Sequence, residues 1–180
     1  MTAMPQRSIV DRMRGAAMLD VATYEEVEAD RSATGQAFVV VVIVAICAGI
    51  GRIGDGSTGV IAGVIGAIIA WLVWSGVTMI VGTKLFGGTA DWGELLRTIG
   101  FAQTPGILAI LGIIPLLGWI AVVAASIWQL IAGVIAIRQA LDFSTGKAVA
   151  TAIISWIAVM IIMAVIFVPL GIGAGLMGRG

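Results

Sequence analysis

The sequence predicts an all-α, polytopic membrane protein with five transmembrane helices, a short third span and an interfacial helix before it. Composition is the first reason: 60% of the residues are hydrophobic, 11% are charged, and the mean hydropathy is +1.12. A water-soluble domain cannot cover its surface with so little polarity. Length is the second reason, because several uncharged runs approach the ~20 residues that a helix needs to cross about 30 Å of hydrocarbon. The third is that charge collects in a few joints between those runs. Net charge is zero, and ten Lys and Arg in 180 residues build no basic stripe, which argues against a nucleic-acid partner. With no His and one Cys, Cys47, the chain lacks the parts for zinc sites, His-ligated haem, disulfides or His-based triads. Neither a metal nor a cofactor is therefore expected.

Residues 1–35 carry four Arg and six acidic residues, polar enough to form an arm ahead of a membrane domain over 36–180. Ile9, Val10, Met13, Ala16, Ala17, Tyr24 and Val27 gather loosely on one side of a helical wheel, which predicts one or two short helices near the membrane surface. Thr23 and Glu26 have the spacing of a capping box. The arm is acidic and the first apolar run begins only near residue 36, unlike a cleaved signal peptide.

The first span runs from about Ala33 or Gln36 to Gly51. It is rich in Val, yet in lipid the backbone must satisfy its own hydrogen bonds, so helix prevails. Gly49 to Gly54 spells GxGxxG, but no strand precedes it, and its glycines fit a helix end and a turn better than a nucleotide site. The second span covers Ser57 to about Gly82. Gly59, Gly63 and Ala67 stand four apart, with Gly66 and Ala70 on an adjacent row, a pattern that predicts a helix-packing face. Trp71 and Trp74 share one side of this helix as anchoring or packing residues. Pro105 to Leu117 is short, rising only about 20 Å as an α-helix. The third helix either starts earlier, near Ile99, or dips into the membrane and returns. Gly118 to Ile137 and Ala148 to about Ile172 complete the five, joined by a polar hairpin over 138–147. Pro169 and the glycines after it predict fraying at the end.

Gly87 to Pro105 is the one long polar interruption. Asp91 with Glu94 three residues later marks a helix start, and Leu95, Leu96 and Ile99 give it an apolar face. Arg97 is expected to point toward lipid headgroups. Asp91, Trp92, Glu94, Arg97 and Phe101 are the candidate interaction residues of this segment. Eight of the ten basic residues fall on the side of the N-terminus, against Arg52 and Arg179 on the other. That bias predicts a cytoplasmic N-terminus and, with five spans, a C-terminus outside.

The run Asp91-Trp92-Gly93-Glu94-Leu95-Leu96-Arg97-Thr98-Ile99-Gly100-Phe101-Ala102-Gln103-Thr104-Pro105 resembles the Yip family, named for interaction with Ypt/Rab GTPases, in its bacterial branch. Trp128-Gln129-Leu130, Asp142 to Ala148 and Leu19 to Val27 add to the likeness, which covers about residues 18–170. The resemblance implies five spans, a cytoplasmic N-terminus, a bacterial cytoplasmic membrane and a non-catalytic scaffold or adaptor. The Asp-Leu-Tyr-Gly-Pro stretch of eukaryotic members is absent, so the resemblance carries over architecture and leaves GTPase binding open. Expected partners are the lipid bilayer and other membrane proteins or further copies of the chain, and no small-molecule ligand is named. The alternative is an accessory subunit of a larger membrane complex, or a small transporter or channel component. Long uncharged stretches such as Phe101 to Ile137 speak against proton-coupled transport. Ser75, Ser126 and Ser155 have no base to activate them, so an intramembrane enzyme is disfavoured.

Overall fold

A computed structural model of the chain describes residues 7–53 and 59–167. The arm folds as two helices, α1 (Ile9–Ala17) and α2 (Val21–Ala29). Ser8 caps α1 by accepting from the Asp11 amide at 3.1 Å. Leu19, at φ 60°, turns the chain into α2. The capping box expected from Thr23 and Glu26 is not formed. Asp20 takes the N-cap position, and Thr23 lies buried within the helix, donating its hydroxyl to Asp20 Oδ2 at 2.6 Å.

The membrane helices follow as α3 (Ala33–Gly51), α4 (Val60–Phe86), α5 (Trp92–Ala102), a 3-10 segment (Thr104–Ile113), α6 (Gly118–Ala140) and α7 (Thr145–Phe167). Gly87, at φ 72°, adopts the left-handed conformation that ends α4, with its N–H on the Gly82 carbonyl. The predicted start at Asp91 is a complete capping box. The Glu94 amide donates to Asp91 Oδ1 and the Asp91 amide to Glu94 Oε2, both at 2.8 Å. Five segments are long and apolar enough to cross a membrane, the third being Trp92–Ile113. The turn at Gly54, the predicted start at Ser57 and the fraying after Pro169 lie outside the described residues.

The third span resolves the length problem by starting early and stretching. Eleven residues of α5 at 1.5 Å and ten of 3-10 at about 2.0 Å rise roughly 36 Å, enough for the hydrocarbon core. It is also the axis of the bundle: 56% of it is buried, against 11% to 28% of the other four. The expected helix ahead of the short span is α5 itself. It does not rest one face on a surface, because Leu95 through Ala102 are buried in unbroken succession. α2, α3, α4 and α6 surround it, while α3 and α6 flank the 3-10 segment.

Close helix approach occurs where the sequence did not predict it. A Cβ on Gly51 would stand 2.0 Å from the Ala109 carbonyl oxygen, and one on Gly100 would stand 2.8 Å from the Ala37 Cβ. Both glycines bring α3 against the third span. The row of Gly59, Gly63, Gly66 and Ala67 does not serve as a tight contact between helices of this chain. A Cβ on Gly63 or Gly66 would meet nothing within 4 Å, and one on Gly59 would touch only Ala62 of its own helix. Gly59, Gly63 and Ala67 instead border a crevice of about 290 Å³ beside Ala45 and Ala48 of α3. Gly51→Ala is therefore expected to cost roughly 1–3 kcal/mol by overpacking against backbone, whereas Gly63→Ala, inside α4 with open space for the methyl, is expected to keep stability or raise it by up to about 1 kcal/mol. Denaturant or thermal unfolding in detergent measures both, and equal stabilities would refute the assignment of the close contact.

Candidate functional site

The polar side chains of the arm converge on one end of the bundle. Arg12 is only 2% exposed. Its Nε donates to Glu26 Oε1 at 3.0 Å, Nη2 to Asp30 Oδ2 at 2.6 Å, and Nη1 to Gln36 Oε1 at 3.0 Å. Glu26 and Asp30 stand four apart on α2, so both carboxylates face the same side and meet one planar guanidinium. Gln36 belongs to α3, so this contact carries the arm onto the membrane domain. Arg7 adds a more exposed pair, 3.3 Å from Glu26.

Arg97 supplies the second anchor, and it corrects the sequence reading. It is 4% exposed and turns inward, away from any headgroup. Its Nε donates to the Val27 and Glu28 carbonyls at 2.9 and 3.0 Å, and Nη2 also reaches the Glu28 carbonyl. These carbonyls lie in the last turn of α2, where no intrahelical donor remains and the dipole end is negative. A cation placed there answers both needs. Further bonds complete the docking. Tyr24 Oη donates to the Ala16 carbonyl at 3.0 Å, Trp128 Nε1 to the Ala17 carbonyl at 2.8 Å, and Gln139 Nε2 to Glu25 Oε1 at 3.1 Å. Arm, α3, α5 and α6 thus form one body.

Of the candidate interaction residues, Asp91 and Trp92 reach the surface, Glu94 is half-buried, and Arg97 and Phe101 are buried. Glu28 joins Glu94 there. Burial first, then the charges of Glu94 and Asp142, push its carboxyl up to about 7, with Arg97 opposing. Asp30 moves the other way, held below the usual carboxylate range by the Ser32 hydroxyl and by Arg12. Arg12 and Glu28 were not singled out from the sequence. The spacing of Glu26 and Asp30 was the available signal for Arg12, since a carboxylate pair on one helix face calls for a cation. Little local marks Glu28, because beyond Glu25 the charges that act on it, Glu94, Asp142 and Arg97, lie 66 or more positions away.

Among the described residues no group of three His, Cys, Asp or Glu could hold a metal ion. Ser75 and Ser155 are buried hydroxyls without a hydrogen-bond partner, and Ser126 donates to the Val122 carbonyl. None of the three has a basic neighbour among these contacts.

Arg12→Met strands two carboxylates in a half-buried setting and is expected to weaken arm docking by roughly 3–5 kcal/mol. Hydrogen exchange over Ile9–Ala29 in nanodiscs reads this directly; protection equal to that of the parent chain would show that the arm is held elsewhere. Docking is also expected to depend on pH through Glu28. Burial lifts its pKa from the ordinary 4.5 to about 7, so the protonated form is favoured in the docked arm. That contribution is complete below about 4.5 and is lost as pH rises through about 7. Exchange protection of α2 should therefore fall between pH 5 and pH 8, and Glu28→Gln should flatten the profile. A profile that keeps its slope in Glu28→Gln would assign the titration to another group.

The family comparison matches this architecture. No curated protein and no solved structure matches the chain. The family model for the Yip1 domain matches residues 20–167, from the N-cap of α2 to the last residue of α7, leaving α1 outside it. With that match covering most of its length, the chain belongs to the Yip1-domain family.

Proposed function

We propose that this protein is a non-catalytic membrane adaptor whose docked arm and α5 form one rigid platform for another protein. The reading places the platform on the cytoplasmic face of a bacterial cytoplasmic membrane, with the C-terminus outside. Support for that orientation comes from the eight basic residues on the side of the arm. The observation that carries the proposal is the pair of buried arginines, Arg12 and Arg97, fixing the arm to α3 and α5. A surface held in place before binding loses little conformational freedom when a partner arrives. Trp92, 46% exposed, offers an aromatic anchor at the start of α5, beside Gly76 of α4, with Asp91 and Glu94 next to it in the same turn and Glu28 and Glu25 beyond Glu94. An aromatic centre in an acidic rim suits a partner that presents basic side chains beside an apolar socket.

A second reading, an accessory subunit of a larger membrane complex, draws on a different observation. The row of Gly63 and Gly66 faces open space, next to exposed Ile61, Ile65 and Ile69. Small residues free of contacts within the chain suit close approach by a helix of another chain. A transporter or channel role has less behind it, since no ionisable residue lies from Phe101 to Ile137.

A photo-crosslinking side chain in place of Trp92, activated in native membranes, is expected to give a discrete protein adduct that weakens when Arg12→Met releases the arm. Adducts with lipid alone would remove the adaptor reading. For the subunit reading, Gly63→Leu should leave the melting temperature of the isolated chain unchanged while lowering the size of the assembly extracted in mild detergent. An unchanged size would remove that reading.

A further inference from the structure

An apolar cleft of about 520 Å³ separates the outer edges of α6 and α7, within the range of ligand sites. Leu130, Val134 and Ile137 form one wall, Val149 and Ile153 the other, and Ile99 of α5 lies at its floor. Leu130 and Ile153 are 70% and 54% exposed, so the cleft opens sideways between two membrane-spanning helices, toward the hydrocarbon. Gly133 widens it, because a Cβ there would meet nothing within 4 Å. Its inner end is closed by a pair of amides, with Gln129 Nε2 donating to the Gln103 carbonyl and Oε1 at 3.1 and 2.9 Å.

A separate polar recess of about 440 Å³ that includes Arg138, Asp142 and Thr145 lies further along the same two helices and the turn between them. Helical register aligns the two spaces. Val134 and Arg138 stand four apart on α6, as do Thr145 and Val149 on α7, so each pair shares a face. A hydrocarbon-facing slot and a head compartment holding a guanidinium and a carboxylate thus follow one another along one face, as a groove for a single elongated ligand. Neither charge is consumed by the other among the ion pairs of the described residues. The Arg138 Nε donates to Gln139 Oε1 at 2.9 Å, and Asp142 Oδ2 accepts from the Thr89 hydroxyl at 3.1 Å.

We propose that this groove is a binding site for one phospholipid with a zwitterionic, primary-ammonium head. An acyl chain occupies the slot between α6 and α7. Arg138 faces the phosphate, for which a planar guanidinium is suited, and Asp142 faces the ammonium. A purely anionic lipid would meet the Asp142 carboxylate without a compensating cation, so the site selects against it. The assignment stands apart from the adaptor reading and does not depend on it.

The test is native mass spectrometry of the full chain released from detergent, after equilibration with phosphatidylethanolamine or phosphatidylglycerol of matched chains. One phosphatidylethanolamine should be retained at least tenfold better than phosphatidylglycerol. Gly133→Phe, which fills the slot from a position with open space, should abolish retention, Asp142→Asn should remove the preference, and Arg138→Gln should lower retention of both lipids. Melting curves check folding, and Ile153→Trp narrows the slot from α7 if Gly133→Phe does not fold. Equal retention of the two lipids, preference for phosphatidylglycerol, or unchanged retention in the slot-filling variant that folds would each overturn the proposal.

Discussion

A buried guanidinium in a bundle almost free of charge needs hydrogen-bond partners, and Arg97 finds them for Nε and Nη2 on backbone rather than carboxylates. Its nitrogens reach carbonyls in the last turn of α2, sixty-nine and seventy residues earlier in the chain. Helix termini leave such carbonyls without intrahelical donors, so one side chain satisfies α2 and removes its own desolvation problem. Arg12 performs the complementary task at the front of the arm, where two carboxylates and an amide surround it. Without these two anchors α1 and α2 would be short helices of nine residues each, too short to hold their shape alone in water. The platform therefore exists because the membrane domain folds, and its surface residues inherit their positions from α5.

The architecture was legible wherever the signal was local or compositional. Five apolar runs gave five spans, and Asp91 with Glu94 gave the start of α5 to the residue, because a capping box is completed within four positions. Thr23 and Glu26 show the limit of the same rule. Their spacing is right, but Leu19 at φ 60° sets the helix start three residues earlier, and Asp20 becomes the cap. Arg97 was misdirected for a related reason: a charge on an amphipathic helix defaults to the polar side, and no local pattern reveals that another helix end waits on the buried side. The glycine rows fail differently. Four-residue spacing of small residues says that a backbone can be approached closely, and says nothing about which helix approaches. In this chain the close contacts fall at Gly51 and Gly100, which carry no such spacing to one another, and the Gly63 row is left open.

The third span explains why those two glycines matter. A 3-10 segment exposes its backbone more unevenly than an α-helix and makes poorer hydrogen bonds, so long runs are uncommon. Ten residues of it persist here because α3 and α6 press on it from both sides. Backbone contacts at Gly51 and Gly112 allow that approach, a Cβ on Gly112 falling 2.8 Å from the Gly51 carbonyl oxygen. The extended rise and the tight flanks are then two aspects of one arrangement. Stretching lets a short apolar sequence cross the membrane, and only a close fit keeps it stretched.

The opposite flank of the bundle is sealed in another way. Thr83, Thr98 and Ser126 donate their hydroxyls to the carbonyl four residues back, at 2.8, 2.9 and 2.8 Å, the usual solution for a hydroxyl within a helix. Ser75 and Thr78 of α4 and Thr151 and Ser155 of α7 do not, although all four are fully buried where these helices pack. A buried hydroxyl left without a partner costs about 1–3 kcal/mol, so the α4–α7 contact gives up stability that the glycine contacts of α3 do not. On its other side α7 is separated from α6 by the apolar cleft. Helix α7 is thus held against α4 through unpartnered hydroxyls, while α1, α2, α3, α5 and the 3-10 segment are tied by buried arginines and backbone contacts. The two flanks of α7 therefore differ in kind: one is a packed contact that leaves hydroxyls unsatisfied, the other an open apolar cleft, and neither involves the arginines that hold the arm.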